Sequence, residues 1–440
     1  MNRPLLLGVL AYILFILSLA TLQGDLLALA VPLVLYLLFG LLRAPQTLDL
    51  DVRRQLSAER IAPHQTVTVT LALTNRGQAI DEILVEDILP DGLKVTDGSN
   101  RHLTRLARGE TRVWTYTVSG PRGAYGFETI QVKAREGLGL IERSQAFNTP
   151  AQLFIIPSVL RLRNVLVRPR HTRVYAGNIP ARVGGAGVDF FGVRDYQPGD
   201  PPRRINWRVS ARHGGSGNGE SEAAMQRLYA NEFEQERVAD VGIVLDGRDR
   251  TNLFGGGRTI FEFSVQAAGS LATAFLAQGN RVGLLLYGQY LHWTLPGYGK
   301  LQRERILHAL ASARHGGSDV FSNLAHLPTR LFPVNSQIVF VSPLVGEDLN
   351  VLVQLRARGY QVLVVSPDPV AFETARLPRT PQVGQAARVV RMERDLLLGQ
   401  LRRAGIQIMN WDVFQPFDQA VRHSLGRPPQ WLRAVGKVTA

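Results

Sequence analysis

The chain has 440 residues, no cysteine, and 50 Lys plus Arg against 36 Asp plus Glu, giving a formal net charge of +14. That length exceeds one ordinary domain and implies two or three; the missing thiols exclude a disulfide framework and thiolate metal sites. The positive excess suits a protein lying near anionic lipid headgroups, whereas nucleic acid is set aside because the arginines are scattered and no nucleic-acid module surrounds them.

Leu5 to Leu22 and Leu26 to Leu42 are two nearly unbroken apolar runs separated by Gln23, Gly24 and Asp25. Each is near the ~20 residues that cross a hydrocarbon core, so residues 1–43 read as a transmembrane helical hairpin, kinked at Pro32. A secretory signal peptide competes for the first run, but a second apolar run directly behind it favours insertion. Arg3 before the hairpin and Arg43, Arg53 and Arg54 after it place both ends in the cytoplasm by the positive-inside rule. The expectation is a two-pass protein of the cell membrane, in contact with lipid, with its remaining domains cytoplasmic.

From 47 to 157 the pattern changes to short alternating segments. Thr66 to Thr74 (TVTVTLALT) alternates strictly and stops at Asn75-Arg76-Gly77, and Ile83 to Leu89 ends at Pro90-Asp91-Gly92. Arg112 to Val118, Phe127 to Ala134 and Leu153 to Ile156 complete the predicted strands. Short strands with Gly, Pro and Asn turns predict an all-β, immunoglobulin-like sandwich, acting as spacer or docking module.

Residues 158–237 form a basic linker and the densest motif of the chain, GVDFFGVRDYQPGDPPRRINWRVSARHG from Gly187 to Gly214. Arg194, Arg203, Arg204, Arg208 and Arg212 interleave with Phe190, Phe191, Tyr196 and Trp207, and with Asp189, Asp195 and Asp200. Gln197-Pro198-Gly199-Asp200 predicts a turn, and Ile205 to Ser210 a short extended or helical piece. Two readings stand together: a structural clasp of ion pairs and cation–π contacts, and a recognition surface, since Trp, Tyr and Arg are hot-spot types. The candidate binding residues are Arg194, Tyr196, Asp200, Arg204, Trp207, Ser210 and Arg212. Gly214 to Gly219 predicts an exposed loop.

Within 238–415 strands and helices alternate: Val241 to Leu245, helix Thr259 to Gln278, a strand pair Arg281 to Tyr287 and Tyr290 to Leu295, and helix Leu301 to Ala313. Strands at Ile338 to Val341, Val362 to Val365 and Ile406 to Trp411 follow, with helices Leu349 to Arg358 and Arg391 to Ala404, then a tail over 416–440. This alternation predicts an α/β doubly wound sheet with its functional edge at the strand C-termini. The glycines at 255–257 open a helix and form a loop with no phosphate-binding Lys-Ser/Thr.

The central motif resembles the signature of domain-of-unknown-function family 58 through Asp189, Phe190, Gly192, Arg194, Tyr196, Gly199, Asp200, Arg204, Ile205, Trp207, Ser210, Ala211 and Arg212. Gly120-Pro121-Arg122-Gly123 also resembles the family, while Glu136 to Leu140 departs from it. The resemblance implies a membrane-anchored protein with a von Willebrand factor A-like α/β domain, no established activity, and a partner among MoxR-type AAA+ ATPases. In domains of that kind that bind metal, the first strand ends in D-x-S-x-S, and a hydroxyl and an Asp from later loops complete a Mg²⁺ or Mn²⁺ site. Here Asp246-Gly247-Arg248-Asp249-Arg250 keeps the Asp and puts Arg at both Ser positions, Ser318 is the candidate hydroxyl ligand, and Ser342 stands where the later Asp belongs. Arginine has no lone pair for a cation, so Asp246 is expected to pair with an Arg or cap its loop in a degenerate site without cofactor. No His spacing or nucleophile elbow supplies catalytic residues. The expected role is a non-catalytic interaction or scaffold protein serving envelope complexes; the alternative is a metal-dependent adhesion-type module using Asp246 and Ser318.

Overall fold

A computed structural model describes residues 3–22, 24–43, 48–135, 142–162, 165, 173–213, 228–255, 258–318, 321, 323–333 and 336–425. The chain forms two compact units, Met1–Ile156 and Pro157–Ala440.

The first unit opens with helices α1 (Arg3–Thr21) and α2 (Gly24–Arg43), with Pro32 inside the second. Their apolar side chains point mostly outward, so Leu5, Tyr12, Leu19, Leu29 and Leu35 are exposed. A surface of that kind has no satisfactory neighbour in water, which is what associates such helices with membranes.

Strands β1 (Leu50–Leu56), β2 (Arg60–Ile61), β3 (Val67–Asn75), β4 (Ile80–Asp87), β5 (Lys94–Asp97), β6 (Arg101–Leu106), β7 (Thr111–Ser119), β8 (Gly123–Arg135) and β9 (Glu142–Ile155) follow. They form a sheet ordered β1-β3-β7-β5 and a second ordered β2-β9-β8-β4-β6. In β3 every second residue is buried, so Val67, Val69, Leu71 and Leu73 meet Ile83, Val85, Ile130 and Val132 of the other sheet in one core. This is the expected all-β sandwich, with β1, β2, β5 and β6 added; those are polar or short, and alternation marks them weakly.

Arg54 has a structural place that its sequence position did not announce. It is shut inside the sandwich, donating through Nε to Asp87 Oδ2 at 3.1 Å, while the Tyr116 hydroxyl donates to the same oxygen at 2.6 Å. In the folded chain this guanidinium is neutralised in a protein core and is part of the sandwich's packing as well as of the basic flank. Burial, then Asp87, pushes the Tyr116 phenol well above its usual range.

The second unit begins with a strap along the helix that follows the first sheet strand: Leu160 N donates to Ser270 Oγ at 3.0 Å and Gln278 Nε2 donates to the Val165 carbonyl at 2.8 Å. Strands β10 (Arg173–Asp195) and β11 (Tyr229–Val238) make an antiparallel ribbon with several register shifts, and α3 (Trp207–His213) lies against β11. Then come β12 (Asp240–Gly247), the small hairpin β13 (Phe254–Gly255) and β14 (Arg258–Thr259), α4 (Ile260–Ala277), β15 (Arg281–Gly288), β16 (Leu291–Gly297), α5 (Gly299–Ser312), β17 (Gln337–Val341) and α6 (Asp348–Ala357). β18 (Gln361–Pro367), α7 (Pro369–Thr374), α8 (Pro381–Arg403), β19 (Gln407–Trp411) and α9 (Phe417–Leu425) complete it.

The sheet order is β16-β15-β12-β17-β18-β19, parallel except for the edge strand β16. Ile243 and Leu245 on one face share a core with residues of α4, α5 and α9; Val244 on the other shares a second core with Leu352 and Leu355 of α6 and Leu398 and Leu401 of α8. Both faces are covered, so the strands are continuous apolar runs and the architecture is doubly wound, as expected. β13 and β14 flank the glycines expected to open the helix, and α4 starts at Ile260; Gly256 and Gly257 lie outside the described residues. Helix α4 is apolar and long enough to cross a membrane, yet most of it is buried in this core.

The boundary expected at 415 is also corrected. Phe417, Val421 and Leu425, one face of α9, are buried in the sheet core beside Trp411. Truncating the chain at 416 should abolish the cooperative unfolding of this unit, and Phe417→Ala should cost about 3–5 kcal/mol, measured by chemical denaturation. An unchanged midpoint would return α9 to the status of a tail.

Candidate functional site

The connection from β12 through α4 leads to β15 on one side, whereas β17 lies on the other side of β12 and is followed by α6 on the opposite face. The carboxyl ends of β12 and β17 therefore flank the crevice where an open α/β sheet holds its ligands. A buried guanidinium fills it. Arg248, 2% exposed, donates from Nε to Asp246 Oδ1 at 2.8 Å and from Nη2 to Asp246 Oδ2 at 2.7 Å. It also donates from Nη1 and Nη2 to Asp348 Oδ1 and Oδ2, each at 2.9 Å. Asp246 Oδ2 accepts a further bond from Ser342 Oγ at 2.6 Å, and Asp348 Oδ2 one from Val345 N at 3.0 Å.

The local chain makes this geometry. Gly247 and Gly288 face each other in register where β12 and β15 end, and a Cβ on Gly288 would come within 2.4 Å of the Gly247 backbone. The Arg248 carbonyl accepts from Thr251 Oγ1 and Asn252 Nδ2 at 2.8 and 2.7 Å, closing the following turn. Leu344 adopts φ +63°, a conformation unfavourable for a branched side chain, and its N–H donates to Ser342 Oγ at 3.0 Å. Burial opposes the charge on Arg248, but hydrogen bonds and charge from Asp246 and Asp348 outweigh it and raise its pKa. Burial likewise pushes the Asp348 carboxyl up, with Arg248 pulling it down.

A second buried arginine stands along the same edge. Arg394 of α8 donates to the Pro343 carbonyl at 2.7 Å and to Ser366 Oγ and Asn410 Oδ1 at 2.8 Å. Burial lowers its pKa against the nearby Asp368 and Asp395. It ties the ends of β17, β18 and β19 together through α8.

These residues do not fit a divalent cation. Both oxygens of Asp246 are engaged by Arg248, whose positive charge lies where an ion would need its own. Ser318, the other candidate ligand, accepts from Phe321 N at 3.3 Å, and no hydrogen bond links it to Asp246 among the described residues. Beside it, His315 Nδ1 meets Asp249 Oδ1 at 3.1 Å. The expected pairing of Asp246 with an Arg, and the place of Ser342 at the end of β17, are both seen. Asp348 and Arg394 carried no sequence signal: they lie 100 and more residues from Asp246, in helices with ordinary polar patterns.

The central motif divides by exposure. Asp200 accepts from Arg194 Nη2 at 2.7 Å and from Gln197 N at 3.0 Å, and its carbonyl accepts from the Tyr196 hydroxyl at 3.0 Å. Asp200 N closes the predicted turn onto the Gln197 carbonyl at 3.0 Å, with Gly199 at φ +108° supplying the conformation that Pro-Gly turns need. The hydrogen bond and charge of Arg194 hold the Asp200 carboxyl below its usual range. Ser210 is buried and accepts from Tyr229 N at 2.9 Å; Asn206 Nδ2 donates to Asn231 Oδ1 at 2.7 Å. Arg204 lies over the Phe233 ring, its guanidinium carbon 5.8 Å from the centroid. These ties fasten the turn and α3 to β11. Trp207, 65% exposed, points outward, and Arg203, Arg208 and Arg212 are exposed with no ion pair among the described residues. The side chains of Asp189 and Phe191 and the loop at 214–219 lie outside the described residues.

This stretch also carries the likeness to known proteins. A family model, "Protein of unknown function DUF58", matches residues 192–387. The match runs from the turn and α3 across β12 to β18 and into α8. The "Uncharacterized protein YeaD" of Bacillus subtilis (strain 168) is 25% identical over 300 residues, covering 67% of this chain and 69% of that one. Among solved structures, a CARDB domain from Pyrococcus furiosus aligns at 13% identity over 26% of this chain and 92% of that chain, with a TM-score of 0.18. A non-cellulosomal cohesin from Archaeoglobus fulgidus aligns at 14% identity over 24% and 91%, with a TM-score of 0.17. Scores this low say nothing of chemistry.

Removing the Arg248 charge should test the buried network. Arg248→Ala leaves two carboxylates buried together and should destabilise the protein by about 3–5 kcal/mol. Losing the group that pulls Asp348 down raises its folded pKa further above the unfolded value. The folded variant then binds protons more tightly, so its deficit should shrink as pH falls from neutral into the carboxylate range. Urea titrations at several pH values check this; a deficit independent of pH would refute the charge argument.

Proposed function

We propose that the chain is a non-catalytic, membrane-tethered interaction protein. Its α/β unit, of von Willebrand factor A-like design, docks a MoxR-type AAA+ ATPase in the assembly or activation of envelope complexes. The observation that carries this reading is the outward face of α3 and the turn before it: an exposed Trp207 near Arg203, Arg208 and Arg212, which have no ion pair among the described residues. A large aromatic held in water by a braced helix has little use within the fold. Trp and Arg are also the residue types that dominate binding energy at interfaces.

The exposed apolar helices α1 and α2 support the tether, and Arg3, Arg43 and Arg53 support cytoplasmic ends. Doubly wound strand order with its switch point at Asp246 supports the von Willebrand factor A-like design. A divalent ion has no part in this reading, because Arg248 already holds both carboxylates.

Trp207→Ala in the full-length, detergent-solubilised protein should weaken ATPase binding by about 2 kcal/mol, roughly 30-fold, without moving the thermal transition. Titrations with ATP and with ADP read the effect. Equal affinity for wild type and variant would remove α3 from the interface, and no retention of an ATPase in either nucleotide state would remove the partner.

A further inference from the structure

Helix α8 is capped by Thr380, whose Oγ1 accepts from Val383 N at 3.3 Å, and continues to Arg403, but only its second half is packed. From Pro381 to Glu393 no side chain is fully buried; from Arg394 on, Arg394, Leu398 and Leu401 meet the domain. The helix is apolar on a second side. Val389, Met392 and Leu396 recur at the three- and four-residue spacing of one helix face and are 52%, 60% and 69% exposed. At about 100° per residue, Met392 and Leu396 each lie about 160° from the buried Arg394 around the axis. The apolar stripe thus faces away from the protein. Leu377, just before the helix, and Val390 add to the exposed apolar surface.

Around the stripe the charge is one-sided. Arg376, Arg379, Arg388, Arg391, Arg402 and Arg403 are exposed, against Glu373, Glu393 and Asp395; none of these arginines is in an ion pair among the described residues, and Arg376 lies over the Phe372 ring, its guanidinium carbon 3.7 Å from the centroid. An apolar stripe flanked by long cationic side chains, parallel to a domain surface, has the composition that settles into the boundary of headgroups and acyl chains. The same polypeptide carries two helices with the apolar surface of a membrane anchor.

We propose that α8 is a second membrane contact: its Val389–Met392–Leu396 stripe lies in the surface of an anionic bilayer, with the arginines on phospholipid phosphates. The inference rests on the tethered reading above and adds to it a fixed orientation of the α/β unit on the membrane. A tether alone leaves that unit free to tumble; two contacts define which surface faces the cytoplasm.

The absence of native cysteine allows a direct test. Full-length protein carrying Leu396→Cys, labelled with a polarity-sensitive fluorophore, is reconstituted in nanodiscs of phosphatidylglycerol or of phosphatidylcholine. Lys300→Cys, exposed on α5 across the sheet, is the control. The 396 probe should shift to the blue and be quenched by nitroxide-labelled lipid in the anionic discs, several-fold more than the 300 probe. Arg388→Glu with Arg391→Glu should reverse this. A 396 probe as wet as the 300 probe in anionic discs overturns the proposal. So does shielding that follows protein concentration or added ATPase without lipid quenching, which would mark a protein interface. Co-migration of protein with discs reads the hairpin tether separately. If that fails, anionic vesicles added to the labelled protein pose the same question to α8 alone.

Discussion

A guanidinium withdrawn from water must have its charge matched and its N–H groups satisfied within a few ångströms, or the fold would not tolerate it. Arg248 meets that condition only because β12, β17 and α6 converge: Asp246 ends the first strand, Ser342 follows the second, and Asp348 opens the helix. The constraint runs both ways. Two carboxylates at the carboxyl edge of a parallel sheet would repel one another without the cation between them, and the cation would be stranded without both. The crevice that a doubly wound sheet leaves for a ligand is therefore closed from within by an internal ion pair. The chemical options of this edge narrow accordingly, and the proposed recognition falls to the outer surfaces.

On those surfaces the central motif divides into tied and untied residues. Arg194, Tyr196, Asp200 and Ser210 have partners within a few residues or on β11, so they set the shape of the ribbon. Trp207, Arg203, Arg208 and Arg212 have none among the described residues and depend on the first group for a rigid platform. An interface built on a preordered helix loses less conformational entropy on binding than one built on a free loop. The alternation of tied and untied residues gives the stretch its density in the sequence.

Much of the architecture was legible because periodicity reports burial. The alternation of Val67 to Leu73 and the apolar runs at Val241 to Leu245 and Ile338 to Val341 follow directly from one-sided and two-sided cover. Polar edge strands such as Arg101–Leu106 left no such imprint, and α9 was missed because a nine-residue helix with only three large apolar residues resembles a tail. At the site, Asp246, Arg248 and Ser342 could be aligned by their places at strand ends. Asp348 could not, because its partnership depends on where α6 starts in space, a tertiary fact absent from local pattern. The core pairing of Arg54 with Asp87 was hidden for a related reason: it depends on a partner 33 residues away on another strand.

Helix α4 raises an issue of biosynthesis. It has the length and apolarity of a bilayer-crossing segment, and it reaches that state hidden against β12, β15, β17 and β18. Of these only β12 precedes it in the chain. While α4 leaves the ribosome, the strands that will cover it have not been made, and a hairpin upstream has the character that brings ribosomes to an insertion channel. The correct outcome depends on a race between partition into lipid and completion of the sheet. Glu262, in the first turn of the helix, is costly to place in hydrocarbon and so weighs against the first.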